Sequence, residues 1–162
     1  MYSSDYTGQF KPFTIAKSEA GIAATFFKKA TIKLQTEIGL SIGPKSITTL
    51  NFALGGYGNN TINNFKPFYG YDFLTLGANS YMKNMATIDV EFLKKNHLNF
   101  GANYANVEND LFAAGNFKIK PKYSGYAVGY GLETIIGPIE IKYTWSPELS
   151  KGFTLASVGF WF

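Results

Sequence analysis

Residues 152–162 read G-F-T-L-A-S-V-G-F-W-F, and this stretch decides the fold. Side chains alternate along a strand, so Val158, Phe160 and Phe162 share one face while Ser157 and Gly159 lie on the other. Chain ends are poorly ordered unless a sheet holds them. An apolar strand that ends the chain on Phe162 therefore predicts a closing strand, with Phe162, Phe160 and Val158 facing lipid. The alternative is the last strand of a soluble sandwich.

The amino-acid composition favours strands over helices. Aromatic residues make up 17% of the chain, with 15 Phe and 11 Tyr, and there are 17 Gly. Mean hydropathy is −0.05, and no segment approaches the ~20 continuous apolar residues that a membrane-spanning helix needs. If the chain crosses a membrane, it does so as a closed barrel, which pairs every backbone group without a helix.

Several classes of chemistry are disfavoured by composition. The chain has no cysteine and a single histidine, so neither a disulfide framework nor a metal site is expected, and no cofactor is predicted. The net charge of +4 comes from lysines scattered through turns instead of a basic stripe, so no nucleic-acid partner is expected. Residues 1–6 do not resemble a secretory signal, so we expect either that one was removed or that the chain is the tail of a longer protein.

Alternation recurs along most of the chain. It is clear in residues 31–43, 84–93, 98–104, 126–133 and 139–145, and it also predicts a strand over 47–57 after a short turn at Gly43-Pro44. Residues 1–30 are interpreted as an amino-terminal tail with an uncertain first strand at 9–17, and residues 18–30 as either its continuation or a loop. Residues 31–162 form the predicted barrel region.

The turns alternate in length. Short turns are predicted at Gly43-Pro44, Lys94-Lys95 and Gly137-Pro138, on the same end of the sheet as Phe162, and long connections at 59–80 and 107–124 on the other end. This asymmetry is typical of bacterial outer-membrane barrels. The fold class is all-β: a transmembrane antiparallel up-and-down β-barrel of about eight strands, or the C-terminal half of a sixteen-stranded barrel. The predicted location is the bacterial outer membrane, with outer-membrane lipid as a partner.

Charged residues decide which face of each strand points inward. A cationic side chain that faces lipid near the midplane costs about 2–4 kcal/mol, and an acidic one costs somewhat less. Charged side chains are therefore predicted to face the lumen. A predicted lumen charge network has five members: Glu133, Glu140, Lys142, Asp89 and Glu91. A soluble lipocalin-like barrel, the main alternative, would need the opposite facing. His97 is interpreted as a turn residue, and no catalytic residue is assigned.

The long connection at 59–80 carries an aromatic cluster. Phe65, Phe68, Tyr69 and Tyr71 in F-K-P-F-Y-G-Y-D-F form the predicted loop interaction surface, because functional residues concentrate on loops. An ordered loop that packs into the barrel mouth is the equal alternative.

Four stretches carry a family resemblance. They are F-K-P-F-Y-G-Y-D-F-L-T-L-G-A-N-S-Y from Phe65, K-K-N-H-L-N-F-G-A-N-Y-A-N from Lys94, and G-Y-A-V-G-Y-G-L-E-T-I-I-G-P-I-E-I-K-Y-T-W-S-P-E together with the terminal S-V-G-F-W-F. Residues 31–162 resemble the carboxy-terminal barrel region of patatin-like phospholipases from flavobacteria and related Bacteroidetes. That barrel is in turn related to the sixteen-stranded barrels of outer-membrane assembly and two-partner secretion proteins.

The resemblance implies a function without catalysis in this chain. Family members carry a patatin hydrolase domain with a G-x-S-x-G nucleophile ahead of the barrel, and no such motif occurs here. The implied function is that of an outer-membrane β-barrel, a membrane anchor. This barrel anchors, displays or helps translocate a patatin-type lipid hydrolase. The alternative is a stand-alone small barrel serving as a structural subunit of an outer-membrane complex. Expected partners are the barrel-assembly machinery and either a homodimer mate or a hetero-complex that closes the barrel.

Overall fold

The secondary structure of the described residues consists of twelve strands and one short 3-10 turn. The computed structural model describes residues 2–4, 10–43, 51–56, 64–118 and 120–159. The described residues contain no helix long and apolar enough to cross a membrane. In chain order the elements are β1 Tyr2–Ser4, β2 Phe10–Pro12, β3 Thr14–Phe26, β4 Ala30–Ile42, β5 Phe52–Leu54, β6 Phe65–Lys66, β7 Leu76–Ala78, β8 Ser80–Leu93, β9 Asn96–Glu108, the 3-10 turn Asn116–Lys118, β10 Tyr123–Thr134, β11 Gly137–Trp145 and β12 Gly152–Val158.

A seven-stranded antiparallel sheet contains all the long strands, in the order β12-β11-β10-β9-β8-β4-β3. The predicted strands at 84–93, 98–104, 126–133 and 139–145 correspond to β8, β9, β10 and β11. Strand β3 covers Thr14–Phe26 without interruption, so residues 18–26 continue the first strand instead of forming a loop. Among the described residues no ladder joins β3 to β12, and the sheet is open along both of these edges.

The register places apolar side chains on one face of this sheet. Ile32 lies opposite Ile88, which lies opposite Phe100, then Val128 and finally Tyr143 on β11. All five side chains are exposed, which is the arrangement expected of a wall that contacts lipid. The same ladders bring the alternate residues together on the other face, odd-numbered in β4, β8, β9 and β10 and even-numbered in β11. The predicted inward and outward facing of these strands therefore matches the structure.

An aromatic cluster marks the outer face near the ends of β9, β10 and β11. The Tyr104 and Tyr126 hydroxyls are 2.9 Å apart, and the Trp145 ring stacks 5.7 Å from Tyr126 and 5.9 Å from Tyr143. Tyrosine and tryptophan favour the membrane interface, since one end of each side chain is apolar and the other is polar. These four residues therefore indicate the interface on the side of the long loops.

The short turns lie together at the opposite end, at residues 27–29, 94–95 and 135–136. In the first, Phe27 and Lys28 both have positive φ, at 51° and 57°, and the Lys29 N–H donates to the Phe26 carbonyl at 3.0 Å. Two central residues with positive φ favour glycine or asparagine, so F-F-K-K gives no turn signal in the sequence.

Because the turn at residues 27–29 was not predicted, the turn at Gly43 was assigned to the wrong end of the sheet. Gly43 was expected beside the other short turns, but it follows β4 at the end where the long loops lie, because β4 starts at the short-turn end and runs away from it. The predicted turn at Lys94-Lys95 is present, and the one at Gly137-Pro138 is displaced to residues 135–136, since Gly137 already begins β11.

The predicted strand at 47–57 is wrong as a member of the barrel wall. Strand β4 pairs directly with β8, and the described part of this segment forms only the three-residue β5; the rest lies outside the described residues. Phe52 and Leu54, which the predicted alternation of this segment would place on the outward face, are fully buried, at 0% exposure. A period of two does not distinguish lipid from a protein interior, since both favour apolar side chains.

A small three-stranded sheet of β6, β5 and β7 packs against the inner face of the large one. Strands β5 and β6 run parallel, and β5 and β7 run antiparallel. The edge of the Phe52 ring packs on Tyr81 of β8 at 4.9 Å between centroids. The buried core between the two sheets consists of Phe52, Leu54, Phe68, Tyr71, Leu76, Ala78, Tyr81, Ala105 and Val107. It therefore lies inside the concave wall, towards the long loops.

Candidate functional site

The connection between β4 and β8 packs onto the inner face of the wall, and we call this contact the inner-wall site. It comprises loop residues 66–71 with the parts of β4, β8, β9, β10 and β11 beneath them. Phe68 and Tyr71 enter the buried core at 1% and 4% exposure, and their rings meet edge to face at 5.4 Å. The aromatic loop is thus an internal contact, as in the alternative in which it packs into the barrel.

Tyr69 lies on two glycines of the wall. A Cβ at Gly125 would stand 1.9 Å from the Tyr69 carbonyl oxygen, and one at Gly101 would stand 2.6 Å from its ring. With its amide oriented to satisfy both neighbours, Asn103 accepts from the Tyr69 N–H at 3.1 Å and donates to the Gly125 carbonyl at 2.9 Å. Glycine is needed at position 125 because the loop backbone approaches the strand more closely than any side chain allows, and at position 101 it leaves room for the Tyr69 ring.

The Tyr69 phenol is neutral in this position. Burial, with a smaller contribution from the negative charge of Glu140, raises the pKa of Tyr69 to about 12. The Lys142 ammonium lies 5.9 Å from the centre of the same ring. Tyr69 is therefore an uncharged aromatic group held over a cationic side chain of the inner wall.

The next loop residues reach the end of β11. Gly70 has φ of +77°, and a Cβ there would stand 2.3 Å from the Trp145 carbonyl carbon. The Tyr71 hydroxyl donates to Glu148 at 3.4 Å, and Glu148 also accepts from Ser124 at 2.6 Å. Partial burial opposes ionisation of Glu148, but hydrogen bonds from Ser124 and Ser146 outweigh it and lower the pKa of this carboxyl.

A buried ion cluster holds the other end of the loop. Lys83 of β8 contacts the Glu37 carboxylate of β4 at 2.6 Å, and Lys66 of the loop contacts it at 3.3 Å. The Lys83 ammonium also donates to the Pro67 carbonyl at 3.3 Å. Lys83 is 1% exposed and Glu37 is 5% exposed, so the two lysines compensate the charge of this carboxylate almost without water.

No part of this cluster was predicted as a site from the sequence. The available signal was the alternation of facing along each strand, which places both Glu37 and Lys83 at inward positions. Their contact depends on β4 pairing with β8 across the intervening loop, where Glu37 stands opposite Lys83. Local pattern does not reveal that pairing.

The five residues of the predicted lumen network all lie on the inward face but do not form one network. Glu140 and Lys142 make an ion pair at 2.8 Å, and Asn99 donates to Glu140 at 3.1 Å. This pair lies near Tyr69 and belongs to the inner-wall site.

The remaining three lie near the short turns. Asp89 is 2.8 Å from His97 Nδ1, and Glu133 is 3.5 Å from its Nε2. Glu91 accepts the Lys95 backbone N–H at 2.9 Å. His97 was expected in a turn, but β9 begins at Asn96, so His97 is an inward strand residue that joins two carboxylates.

Two further sets complete the predicted residues. Val158 of β12 is 65% exposed, whereas Phe160 and Phe162 lie outside the described residues. Phe65 is half-buried in β6, with its ring 6.1 Å from Phe73.

Within the described ranges, no group of three or more His, Cys, Asp or Glu side chains is placed to hold a metal ion. The arrangement anchors a loop by charge and shape, and we assign it no catalytic step.

Comparison with known proteins agrees with this architecture. The crystal structure of BamA from Haemophilus ducreyi lacking POTRA domains 1–3 has a similar fold, with a TM-score of 0.59 and 11% sequence identity. The match covers 90% of this chain and 35% of that one, so the chain spans about a third of its length. No functionally characterised sequence matches. A family model of the OMP85 superfamily matches residues 1–162, and the chain therefore belongs to this superfamily of outer-membrane β-barrel proteins.

Proposed function

We propose that this chain is the non-catalytic, carboxy-terminal part of an outer-membrane barrel that anchors and displays, or helps translocate, a patatin-type lipid hydrolase. The observation that carries the proposal is the open seven-stranded sheet, which is apolar outside and polar inside and in which, among the described strands, β3 and β12 each have one side without a partner. The hydrolase rests on the resemblance of residues 31–162 to patatin-like barrels.

The open edges support a larger barrel. Strand β3 is 13 residues long and pairs only with β4 among the described strands. Each backbone group left unpaired in hydrocarbon costs several kcal/mol, so an open edge of this length needs further strands. Upstream strands of the same polypeptide are the first candidate, since the match covers only 35% of the BamA neighbour. A second copy of the chain or another barrel protein is the second candidate for these strands.

The inner-wall site supports anchoring over passage. The small sheet and loop residues 66–71 cover the inner face on the side of the long loops, and Phe52, Leu54 and Phe68 are at most 1% exposed. A channel for a folded hydrolase would require this packed region to move. We therefore assign the chain a static role in the membrane, with insertion by the barrel-assembly machinery and contact with outer-membrane lipid.

The first experiment tests closure. The chain is folded into detergent or lipid, boiled and unboiled samples are compared by gel migration, and light scattering gives the number of chains per particle. We expect a dimer, a larger complex or an aggregate, because a seven-stranded sheet with two open edges does not close by itself. A compact, heat-sensitive monomer would contradict the proposal and support the stand-alone small barrel.

The second experiment tests the hydrolase. We expect the natural gene to encode a G-x-S-x-G motif upstream of this region, with lipid hydrolysis lost on substitution of that serine. Deletion of the region corresponding to residues 31–162 should release an active hydrolase from the outer membrane. The patatin assignment fails if no such motif precedes the barrel, or if the deletion leaves the hydrolase membrane-bound.

A further inference from the structure

We propose that the short-turn end of this barrel binds anionic phospholipid headgroups through a paired apolar and cationic motif. The surface, called here the turn-end patch, consists of Phe26-Phe27-Lys28-Lys29 between β3 and β4 and Phe92-Leu93-Lys94-Lys95 between β8 and β9. Its ligand is the phosphate-rich surface of a phospholipid leaflet.

The two turns repeat one chemical pattern. Each has two apolar residues followed by two lysines, F-F-K-K and F-L-K-K, although the segments lie far apart in sequence. Ordinary hairpin turns use Gly, Asn or Asp to permit positive φ. Here Phe27, Lys28 and Lys95 adopt positive φ instead, at 51°, 57° and 66°. These side chains are placed at the turns despite a backbone conformation that disfavours them.

The fold brings the two motifs into contact. Strand β4 pairs with β8, and the Lys29 carbonyl accepts the Glu91 N–H at 2.7 Å. In the same way the Lys95 carbonyl accepts the Glu133 N–H at 2.9 Å, which links the second turn to the third. At that third turn Ile135 and Ile136 are 101% and 69% exposed. The three turns form one continuous rim.

Both halves of the motif reach outward. Phe27 is 96% exposed and Leu93 is 61% exposed, while all four lysines are exposed as well. Within the described residues, no carboxylate lies within ion-pair distance of these four ammonium groups. The nearby acids face the lumen, where Asp89 and Glu133 contact His97 and Glu91 accepts the Lys95 N–H.

The membrane supplies the matching chemistry. Apolar side chains with a band of lysines suit the boundary between acyl chains and headgroups, where rings enter hydrocarbon and ammonium groups reach phosphate. Lysines close to an anionic surface each add about fivefold to binding. The outward strand faces carry the apolar wall directly into this rim, so the lipid that contacts the wall also reaches the lysines. This continuity favours lipid over a soluble protein as the occupant.

The test measures lipid preference of the full-length protein. Native mass spectrometry in nonionic detergent compares retention of phosphatidylglycerol and phosphatidylcholine by the unaltered protein, the variant Lys28→Gln/Lys94→Gln and the matched control Lys120→Gln/Lys151→Gln. The control lysines are exposed at the long-loop end. We expect a phosphatidylglycerol preference that falls about 25-fold in the first variant, at about fivefold for each lysine removed, and stays unchanged in the control. Lys28→Arg/Lys94→Arg should retain it.

Three outcomes would overturn the proposal. They are an unchanged preference in Lys28→Gln/Lys94→Gln, an equal loss in the control, and detachment of a protein partner by the first variant with lipid retention unaltered. Heat-modifiable migration verifies that each variant is folded. If the glutamine variant does not fold, salt decides the question with the unaltered protein: phosphatidylglycerol preference must fall as ionic strength rises, and a salt-independent preference refutes headgroup binding.

Discussion

The two ends of the sheet differ in where their charged groups find partners. At the long-loop end, Lys122 pairs with Glu108, Glu148 accepts hydrogen bonds from Ser124, and Lys83 is shielded beneath loop residues 66–71. At the short-turn end, the turn-end patch directs its lysines and its apolar side chains away from the protein.

This difference indicates that the two ends have different roles. One end is stabilised by contacts within the chain, so its residues affect the free energy of unfolding. The other end is organised for contacts outside the chain, and its residues affect binding more than stability. Substitutions at equivalent chemical groups of the two ends therefore have unequal effects.

The largest effect is expected at the buried ion cluster. Lys83→Met removes the ammonium that contacts Glu37 at 2.6 Å and leaves that carboxylate with Lys66 alone. We expect the free energy of unfolding to fall by about 4 kcal/mol, since the remaining buried charge is poorly compensated. Urea titration of the folded protein in lipid measures it. The double variant Lys83→Met/Glu37→Gln should recover most of the lost stability. If the two groups act independently, the effects of the two substitutions simply add and no recovery is seen.

A slightly smaller effect is expected where the loop touches the wall. Gly125→Ala places a Cβ 1.9 Å from the Tyr69 carbonyl oxygen, a backbone atom that cannot rotate away. We expect a loss of about 3 kcal/mol and protease cleavage within residues 64–79. Gly77→Ala is the matched control, because its nearest neighbour would be 3.8 Å away. Equal protease resistance of the two variants would show that the loop does not depend on this approach.

A moderate, pH-dependent effect is expected at Glu148. Its pKa is lowered in the folded protein, so its stabilisation is present above the unfolded pKa and is lost as pH falls through the folded one. At pH 7, Glu148→Gln should cost about 1 kcal/mol after allowance for solvent screening. The difference from the unaltered protein should shrink below a pH of about 4. A difference that persists or grows in acid would contradict the role of the ionised carboxylate.

The smallest effect is expected at the ion pair closest to the short turns. Asp89 contacts His97 at 2.8 Å but its side chain is 41% exposed. Asp89→Asn should lower the free energy of unfolding by about 0.5 kcal/mol, since water replaces much of the contact. The same urea titration gives the value. A loss as large as that of Lys83→Met would remove the distinction between the two ends.

Local pattern predicted the wall of the barrel well. The facing of β8, β9, β10 and β11 follows from a period of two and from the high cost of charge in lipid, and both are properties of short segments. The turn at 27–29 was missed because Phe27 and Lys28 carry no turn signal. The strand predicted at 47–57 failed for the opposite reason, since Phe52 and Leu54 match the apolar alternation of a wall strand but are buried inside.

By itself, the sequence determined an all-β outer-membrane wall with apolar side chains outward and Glu37, Asp89, Glu140 and Lys142 inward, because alternation and desolvation act residue by residue. Only the tertiary structure decided that β4 pairs with β8, that Glu37 meets Lys83, and that Tyr69 rests on Gly101 and Gly125. These contacts join segments separated by a long loop. Their formation depends on pairing between distant strands and on close packing, which no local periodicity encodes.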